Sequence, residues 1–261
     1  MLVDTLPLTA PLTLHAAPLT REAFAPFGDV VTNPRPACLP SNTDPASVSS
    51  TLPCGAISAN QGTAIQYKKL AAMRDHYAEA ASGRRASARM TMFVCGSREL
   101  KTFAIADGGQ REAKGVEVTV LERHPFTSQT FIPLTADGRK RYLVIVAPSL
   151  PPGERDAKLP VPASTSAEDG TRLPGRGLPD LRGMRAFLAE GHQAVTYGAG
   201  TWHAPMMALG PRGEAIDFVV VQFANDEAIE DCQEVELKGQ GSESKVKIAL
   251  PDGSGRIPSK L

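Results

Sequence analysis

The chain has 261 residues, 42% of them hydrophobic and 5% aromatic, with 28 basic and 28 acidic side chains and a formal net charge of zero. That length allows one large all-β domain or two smaller ones, around a core that is mostly aliphatic. The even balance leaves no global basic field for nucleic acid or an anionic membrane surface, and no apolar run approaches the roughly 20 residues that span a bilayer. The N-terminus lacks the basic start and apolar core of a signal peptide. The four cysteines, Cys38, Cys54, Cys95 and Cys232, are widely spaced and include no Cys-x-x-Cys pair. They read as reduced thiols rather than as a zinc knuckle or a disulfide framework.

Residues 1–20 alternate Pro, Leu and Thr and read as extended chain. Thr20 then caps a brief helix through Phe24, stopped by Phe27-Gly28-Asp29, and Val30-Val31 begin a strand. Residues 33–55, rich in Pro, Ser, Thr and Asn, form a long surface loop. Asn60-Gln61-Gly62-Thr63 is a turn before a strand from Ala64 to Leu70. Ala71 to Ser82 carries helix-favouring Ala, Met, Arg and Glu and predicts a helix. Met90 to Cys95 predicts a buried strand. Val116, Val118 and Val120 give the period of two of a half-buried strand. Gln129–Leu134 and Tyr142–Ala147 predict two strands of a hairpin around Asp137-Gly138.

Residues 148–179 are a second insertion, dense in Pro, Gly and charge. Asp180 reads as the cap of a helix with Leu181, Met184, Phe187 and Leu188 on one face and Gly191 past its end. Strands follow at Gln193–Tyr197 and Ile216–Phe223. Many short strands and little helix predict a mainly β, single-domain barrel or sandwich over residues 1–240, with 241–261 as a flexible tail. The chain ends Ser259-Lys260-Leu261 behind a Gly/Ser-rich stretch. A C-terminal Ser-Lys-Leu is an address read by the peroxisomal import receptor, with the cytoplasm as the location otherwise.

Two segments could carry chemistry. Glu122 and His124 share parity with Val116, Val118 and Val120, so they can project to the same side as the aliphatic row. A charged Glu and a His facing inward are costly unless paired, hydrogen-bonded or bound to a ligand or metal. The second segment, Tyr197-Gly-Ala-Gly-Thr-Trp202-His203-Ala-Pro205, holds the only tryptophan, and its glycines permit a sharp turn just before His203. His15, His76 and His192 lack such a context and read as surface residues.

Glu122-x-His124-x-x-x-x-Gln129 followed by Gly198-x-Gly200-x-x-His203 resembles the two half-motifs of cupins, whose side chains meet around a metal inside a small β-barrel. Glu122 stands where the first cupin histidine would be and Gln129 where the carboxylate would be. The resemblance narrows to the ureidoglycolate lyase family on several blocks. These are Leu121-Glu122-Arg123-His124-Pro125 with Ser128-Gln129-Thr130-Phe131-Ile132-Pro133, then Pro179-Asp180-Leu181 with Arg185-Ala186-Phe187. Val195-Thr196-Tyr197, Trp202-His203-x-Pro205 and Asp217-Phe218 follow in order; Phe24-x-x-Phe27-Gly28-Asp29-Val30 and Asn60-Gln61-Gly62-Thr63 precede them.

The resemblance implies a cupin-like β-barrel with a few short helices, a homodimer, and a eukaryotic, fungal-type member. It implies cleavage of (S)-ureidoglycolate to glyoxylate and urea in allantoin and purine breakdown, with no required cofactor or with a divalent transition metal, nickel among those linked to the family. Glu122, His124, Gln129 and His203 are the metal candidates. Breaking a carbinolamide C–N bond needs a base on the hydroxyl and an acid on the departing nitrogen, and histidine is the side chain best poised near neutral pH. His203, His124, Glu122 and Tyr197 are therefore the catalytic candidates. Asn60 or Gln61 is expected to bind the ureido group, Gln129 to line the pocket, Trp202 to form its wall, and Asp217 to support His203. The alternatives are another cupin-type metal enzyme, such as a sugar isomerase or iron dioxygenase, and a non-catalytic module that binds a small carboxylate.

Overall fold

A computed structural model describes residues 1–104, 112–135, 137–166, 170, 172–239 and 245–251. The fold is mainly β, and its strands form four sheets. The largest runs Leu2–Leu8, Gln233–Gly239, Val120–Arg123, Trp202–His203, Arg141–Ala147, Arg185–Glu190 and Ala17–Pro18 in spatial order, with Met207–Leu209 also paired to Arg141–Ala147. The second runs Gly28–Val31, Ala194–Tyr197, Gln129–Pro133, Ala215–Ala224 and Ser87–Gly96. A third joins Leu12–His15, Val246–Ala249, Glu112–Val118 and Lys101–Ala104, and Ala56–Ala59 pairs with Ala64–Tyr67 in a separate hairpin.

Arg141–Ala147 shows how these sheets share their interior. Every residue after Arg141 is buried. Leu143, Ile145 and Ala147 enter one apolar cluster, with Leu121, Trp202, Val235 and Ile248. Tyr142, Val144 and Val146 enter another, with Phe24, Phe131, Phe187, Tyr197 and Phe218. A strand whose side chains alternate between faces must read as a continuous apolar run when both faces are covered. Trp202 and His203, pairing with Ala147 and Val146, inherit the same division.

The expected start of the first helix holds: the Thr20 side chain accepts from the Ala23 amide and Arg21–Phe24 is helical. Other expectations are corrected. Between Ala71 and Ser82 only Tyr77–Glu79 is helical, as a short 3-10 turn, because the Asp75 carboxylate takes the Tyr77 amide and Phe126 takes the His76 amide. Asp180 does cap, but only the 3-10 turn Leu181–Gly183. Arg185–Glu190 is a strand along Arg141–Ala147, with Phe187 in one core and Ala186 and Leu188 in the other. Its two-sided burial imitates the apolar stripe of a helix. Gln129–Pro133 and Arg141–Ala147 belong to different sheets, so Asp137-Gly138 turns a corner between sheets instead of closing a hairpin.

The strand Ser87–Gly96 is an edge strand, not a buried one: Met90, Met92, Phe93 and Val94 are all exposed. The expected tail also begins too early, since Val246–Ala249 pairs with Glu112–Val118 and buries Val246 and Ile248. The terminal Ser259-Lys260-Leu261 lies outside the described residues.

Candidate functional site

The strand Val120–Arg123 follows Glu112–Val118 after a break at Thr119, whose carbonyl accepts from the Leu237 amide. Across the sheet, Glu122 stands directly opposite His203. The turn before His203 is made by Gly198 to Thr201, with Gly200 at φ +80°, a conformation that favours glycine. The Gly200 amide donates to the His124 carbonyl at 2.8 Å. One backbone contact thus ties the two histidine segments together, although about 80 residues of chain separate them.

Both imidazoles are oriented by backbone carbonyls. His124 Nδ1 lies 2.7 Å from the Asp231 oxygen, and His203 Nδ1 lies 2.9 Å from the Thr201 oxygen. A carbonyl oxygen only accepts, so each Nδ1 carries a proton and each ring turns its Nε2 inward. Both Nε2 atoms are buried without a hydrogen-bond partner. The rings stand 5.5 Å apart, and His203 Nε2 is 3.5 Å from Glu122 Oε1. Burial, then the neighbouring His203, pulls the His124 pKa down, partly opposed by Glu122. Burial pushes Glu122 up, but His203 and then His124 outweigh it and hold its carboxyl below the usual range.

Tyr197 stacks flat on His203, with centroids 3.9 Å apart and an interplanar angle of 11°. Its hydroxyl is buried and unpartnered, and burial pushes its pKa well up, so it remains a protonated donor. Gln129 lies directly opposite Tyr197 on one side and Gln222 on the other. Its Nε2 donates to Gln222 Oε1 at 2.7 Å, and its own Oε1 is buried without a partner. Leaving a buried polar atom unsatisfied costs about 1–3 kcal/mol. Four such atoms on adjacent residues mark a surface built for something other than folding.

The donor set fits a divalent metal. Ligand atoms of Glu122, His124 and His203 lie within 4.8 Å of one another, and two imidazoles with one carboxylate suit transition ions. Glu122 also belongs to a second close group with Cys232 and Glu234, but burial and then the Glu122 charge push the Cys232 thiol up to about 12, which disfavours a thiolate ligand. A separate cleft of about 880 Å³ is lined by Asp29, Thr196 and Thr201 and by Arg172, Arg182 and Arg185, and none of Glu122, His124, Gln129, Tyr197 or His203 lines it.

Three expected roles do not match the positions. Asp217 is exposed on Ala215–Ala224, opposite Val94, and the Thr201 carbonyl occupies the place beside His203 Nδ1 expected for it. Trp202 is fully buried in the aliphatic core on the other side of the strand from His203, and its Nε1 donates to the Gly177 carbonyl. It is packing, not pocket wall. Asn60 and Gln61 sit exposed at the tip of the Ala56–Tyr67 hairpin, with φ of 48° and 55°. His76 is half-buried rather than on the surface.

Sequence reasoning also missed partners. Arg123, between the two site residues, is fully buried on the opposite side. It donates to Gln233 and to the carbonyls of Gly175, Arg176 and Gly177, and lies 4.5 Å above the Trp202 ring. It ties residues 175–177 to the strands Val120–Arg123 and Gln233–Gly239. Gln222 had a usable signal: it follows Phe218 and Val220 at the inward period of two.

Comparison with known proteins places this geometry. The family model described as ureidoglycolate lyase matches residues 11–243. The ureidoglycolate lyase of Schizosaccharomyces pombe is 32% identical over 238 residues, covering 91% of this chain and 95% of that protein. That of Saccharomyces cerevisiae is 30% identical over 227 residues, covering 85% and 93%. That of Burkholderia mallei is 32% identical over 214 residues, covering 82% and 84%. With the Glu122, His124 and His203 cluster at the heart of the matched region, the chain belongs to the ureidoglycolate lyase family.

Proposed function

We propose that the protein is a carbon–nitrogen lyase that cleaves (S)-ureidoglycolate to glyoxylate and urea, as a step of allantoin and purine breakdown. The observation that carries the reading is the pair of buried, unpartnered imidazole Nε2 atoms clustered with the Glu122 carboxyl group. The substrate carbon bears a hydroxyl, a carboxylate and the ureido nitrogen. Loss of the hydroxyl proton forms the carbonyl of glyoxylate, and the C–N electron pair leaves with nitrogen, which takes a proton to become urea. No water is consumed.

Glu122 is the end point for the hydroxyl proton, directly or through Nε2 of His203, 3.5 Å away. The proton collected there passes on to the departing nitrogen, and His124, whose pKa is pulled down, accepts a hydrogen bond from the substrate through Nε2. Such acid–base help is worth about 10²–10⁴-fold. The Tyr197 hydroxyl donates to the carboxylate or the urea oxygen, and its ring stacks flat on His203 and holds the imidazole in place. Glu122, His124 and His203 would hold a divalent transition metal such as nickel, which when bound would supply Lewis-acid polarisation of a substrate oxygen.

The reading extends to a single cupin-like barrel domain, a homodimer and peroxisomal import through Ser259-Lys260-Leu261. The exposed apolar side chains of Ser87–Gly96 support the homodimer, since edge strands with such surfaces invite pairing. The terminal tripeptide supports the address. The test is purified protein with ureidoglycolate, measuring glyoxylate together with urea and ammonia. Equal glyoxylate and urea is the expected result. Ammonia in place of urea overturns it in favour of ureido hydrolysis, and binding of glyoxylate without turnover favours a binding module.

A further inference from the structure

Across the second sheet, three side chains form one continuous row. Tyr197, Gln129 and Gln222 are direct cross-strand partners on Ala194–Tyr197, Gln129–Pro133 and Ala215–Ala224. Direct partners of an antiparallel ladder project to the same face. The row begins at the ring stacked on His203 and ends at Gln222, whose next neighbour is Arg89 on the edge strand. Its register is fixed on both sides. The Thr130 and Thr196 hydroxyls hydrogen-bond at 2.9 Å on the opposite face, and Thr127 Oγ1 accepts from the Phe223 amide at 2.9 Å.

Within this row Gln129 has one amide atom committed and one not. Its Nε2 donates to Gln222 Oε1, and its Oε1 is buried without a partner. Unheld, a glutamine amide can turn by 180° and exchange donor for acceptor. The inward-facing set already contains lone pairs at two imidazoles, a carboxylate at Glu122 and one hydroxyl donor at Tyr197. A fixed carbonyl oxygen at Gln129 adds an acceptor suited to an N–H.

We infer that Gln222 is a specificity-determining positioning residue. It holds the Gln129 amide so that Gln129 Oε1 accepts from the terminal –NH₂ of the ureido group, and thereby selects ureido over other 2-hydroxy-acid substituents. This assignment rests on the lyase reading of the site. A site built to hydrogen-bond a polar group rejects the analogue lacking it far more strongly than an apolar pocket could, because its own polar atom is then left unpaired. Gln222 acts through Gln129 and takes no part in moving protons.

The test compares Gln222→Glu with Gln222→Met, both close in length to glutamine. A carboxylate only accepts, so it keeps Gln129 Nε2 turned toward it. A thioether accepts weakly and releases the amide. Steady-state kinetics on ureidoglycolate should give Gln222→Glu a KM within about threefold of wild type. Gln222→Met should raise KM by about tenfold or more while kcat changes little, the cost expected of a buried acceptor left mispaired. The wild type should also discriminate against ureidoglycolate dimethylated on its terminal nitrogen, and Gln222→Met should lose most of that discrimination while Gln222→Glu keeps it.

Equal damage in both variants with parallel loss of thermal stability would make Gln222 a packing residue and overturn the inference. So would an unchanged KM in Gln222→Met, or a fall in kcat alone. If the wild type releases no urea, it is the lyase reading that falls. Calorimetric binding of ureidoglycolate and its dimethyl analogue to the same three proteins then decides the role of Gln222 by the same ratio.

Discussion

The two sides of the short strand Trp202–His203 are equally buried and could hardly differ more. On the Trp202 side, the Arg123 guanidinium reaches four acceptors and the indole Nε1 a fifth contact at Gly177. On the His203 side, the imidazole Nε2 atoms, the Tyr197 hydroxyl and the Gln129 oxygen are buried with no partner. Burial of a polar or charged group therefore does not mark function here; what marks it is burial without satisfaction. The saturated side holds residues 175–177 in place, and the unsaturated side is the one the proposed reaction would use.

Substitutions on the two sides should separate activity from stability. Glu122→Gln or His203→Asn should lower kcat/KM by about 10²–10⁴-fold while the thermal midpoint stays near wild type or rises, since an unsatisfied group is relieved. A comparable loss of stability would show that the cluster is structural. Arg123→Met should do the reverse, removing about 2–5 kcal/mol in denaturant titration by stranding the carbonyls of residues 175–177. Its residual activity per folded molecule should remain within a few-fold of wild type. A stable Arg123→Met protein would mean that the insertion is held by other contacts.

Satisfied carboxylates sharpen the same contrast through pH. Burial pushes the Glu230 carboxyl up, but hydrogen bonds from Ser82 and Asn225 outweigh it and hold it below the usual range. A folded-state pKa below the unfolded one contributes stability that is present above the unfolded pKa and lost as pH falls through the folded one. The thermal midpoint should therefore drop as pH is lowered below the ordinary carboxylate range, and Glu230→Gln should flatten that dependence; an unchanged slope would remove Glu230 from the acid response. The smallest effect is at Cys232, whose buried thiol, pushed up to about 12, should resist alkylation at pH 8 until the protein is unfolded. Rapid native labelling would show that its surroundings open.

The candidate cluster was legible from its residue types and from the turn before His203, but not from strand parity. The break at Thr119 puts Leu121, not Val120, with Val116 and Val118 in the aliphatic core, so Glu122 faces away from that row, and His124 lies just past the strand end. What the sequence hid depends on partners. Arg185–Glu190 looks helical because both of its faces are covered, and Met90–Cys95 looks buried because an apolar edge strand and an interior one have the same composition. Arg123 could not be assigned from its own neighbours, since its acceptors lie about 50 and 110 residues away. Asp217 was misplaced for the converse reason: Phe218 beside it is inward, so Asp217 must point out.

The central claim is that His124 and His203 turn bare Nε2 atoms toward Glu122 and that substrate meets them there. Long-range ¹H–¹⁵N spectra of the two imidazoles test it directly. Both rings should carry a proton on Nδ1, and both Nε2 signals should move on addition of ureidoglycolate. Neutral Nε2–H tautomers in both rings, or Nε2 signals that ignore saturating substrate, would contradict the account.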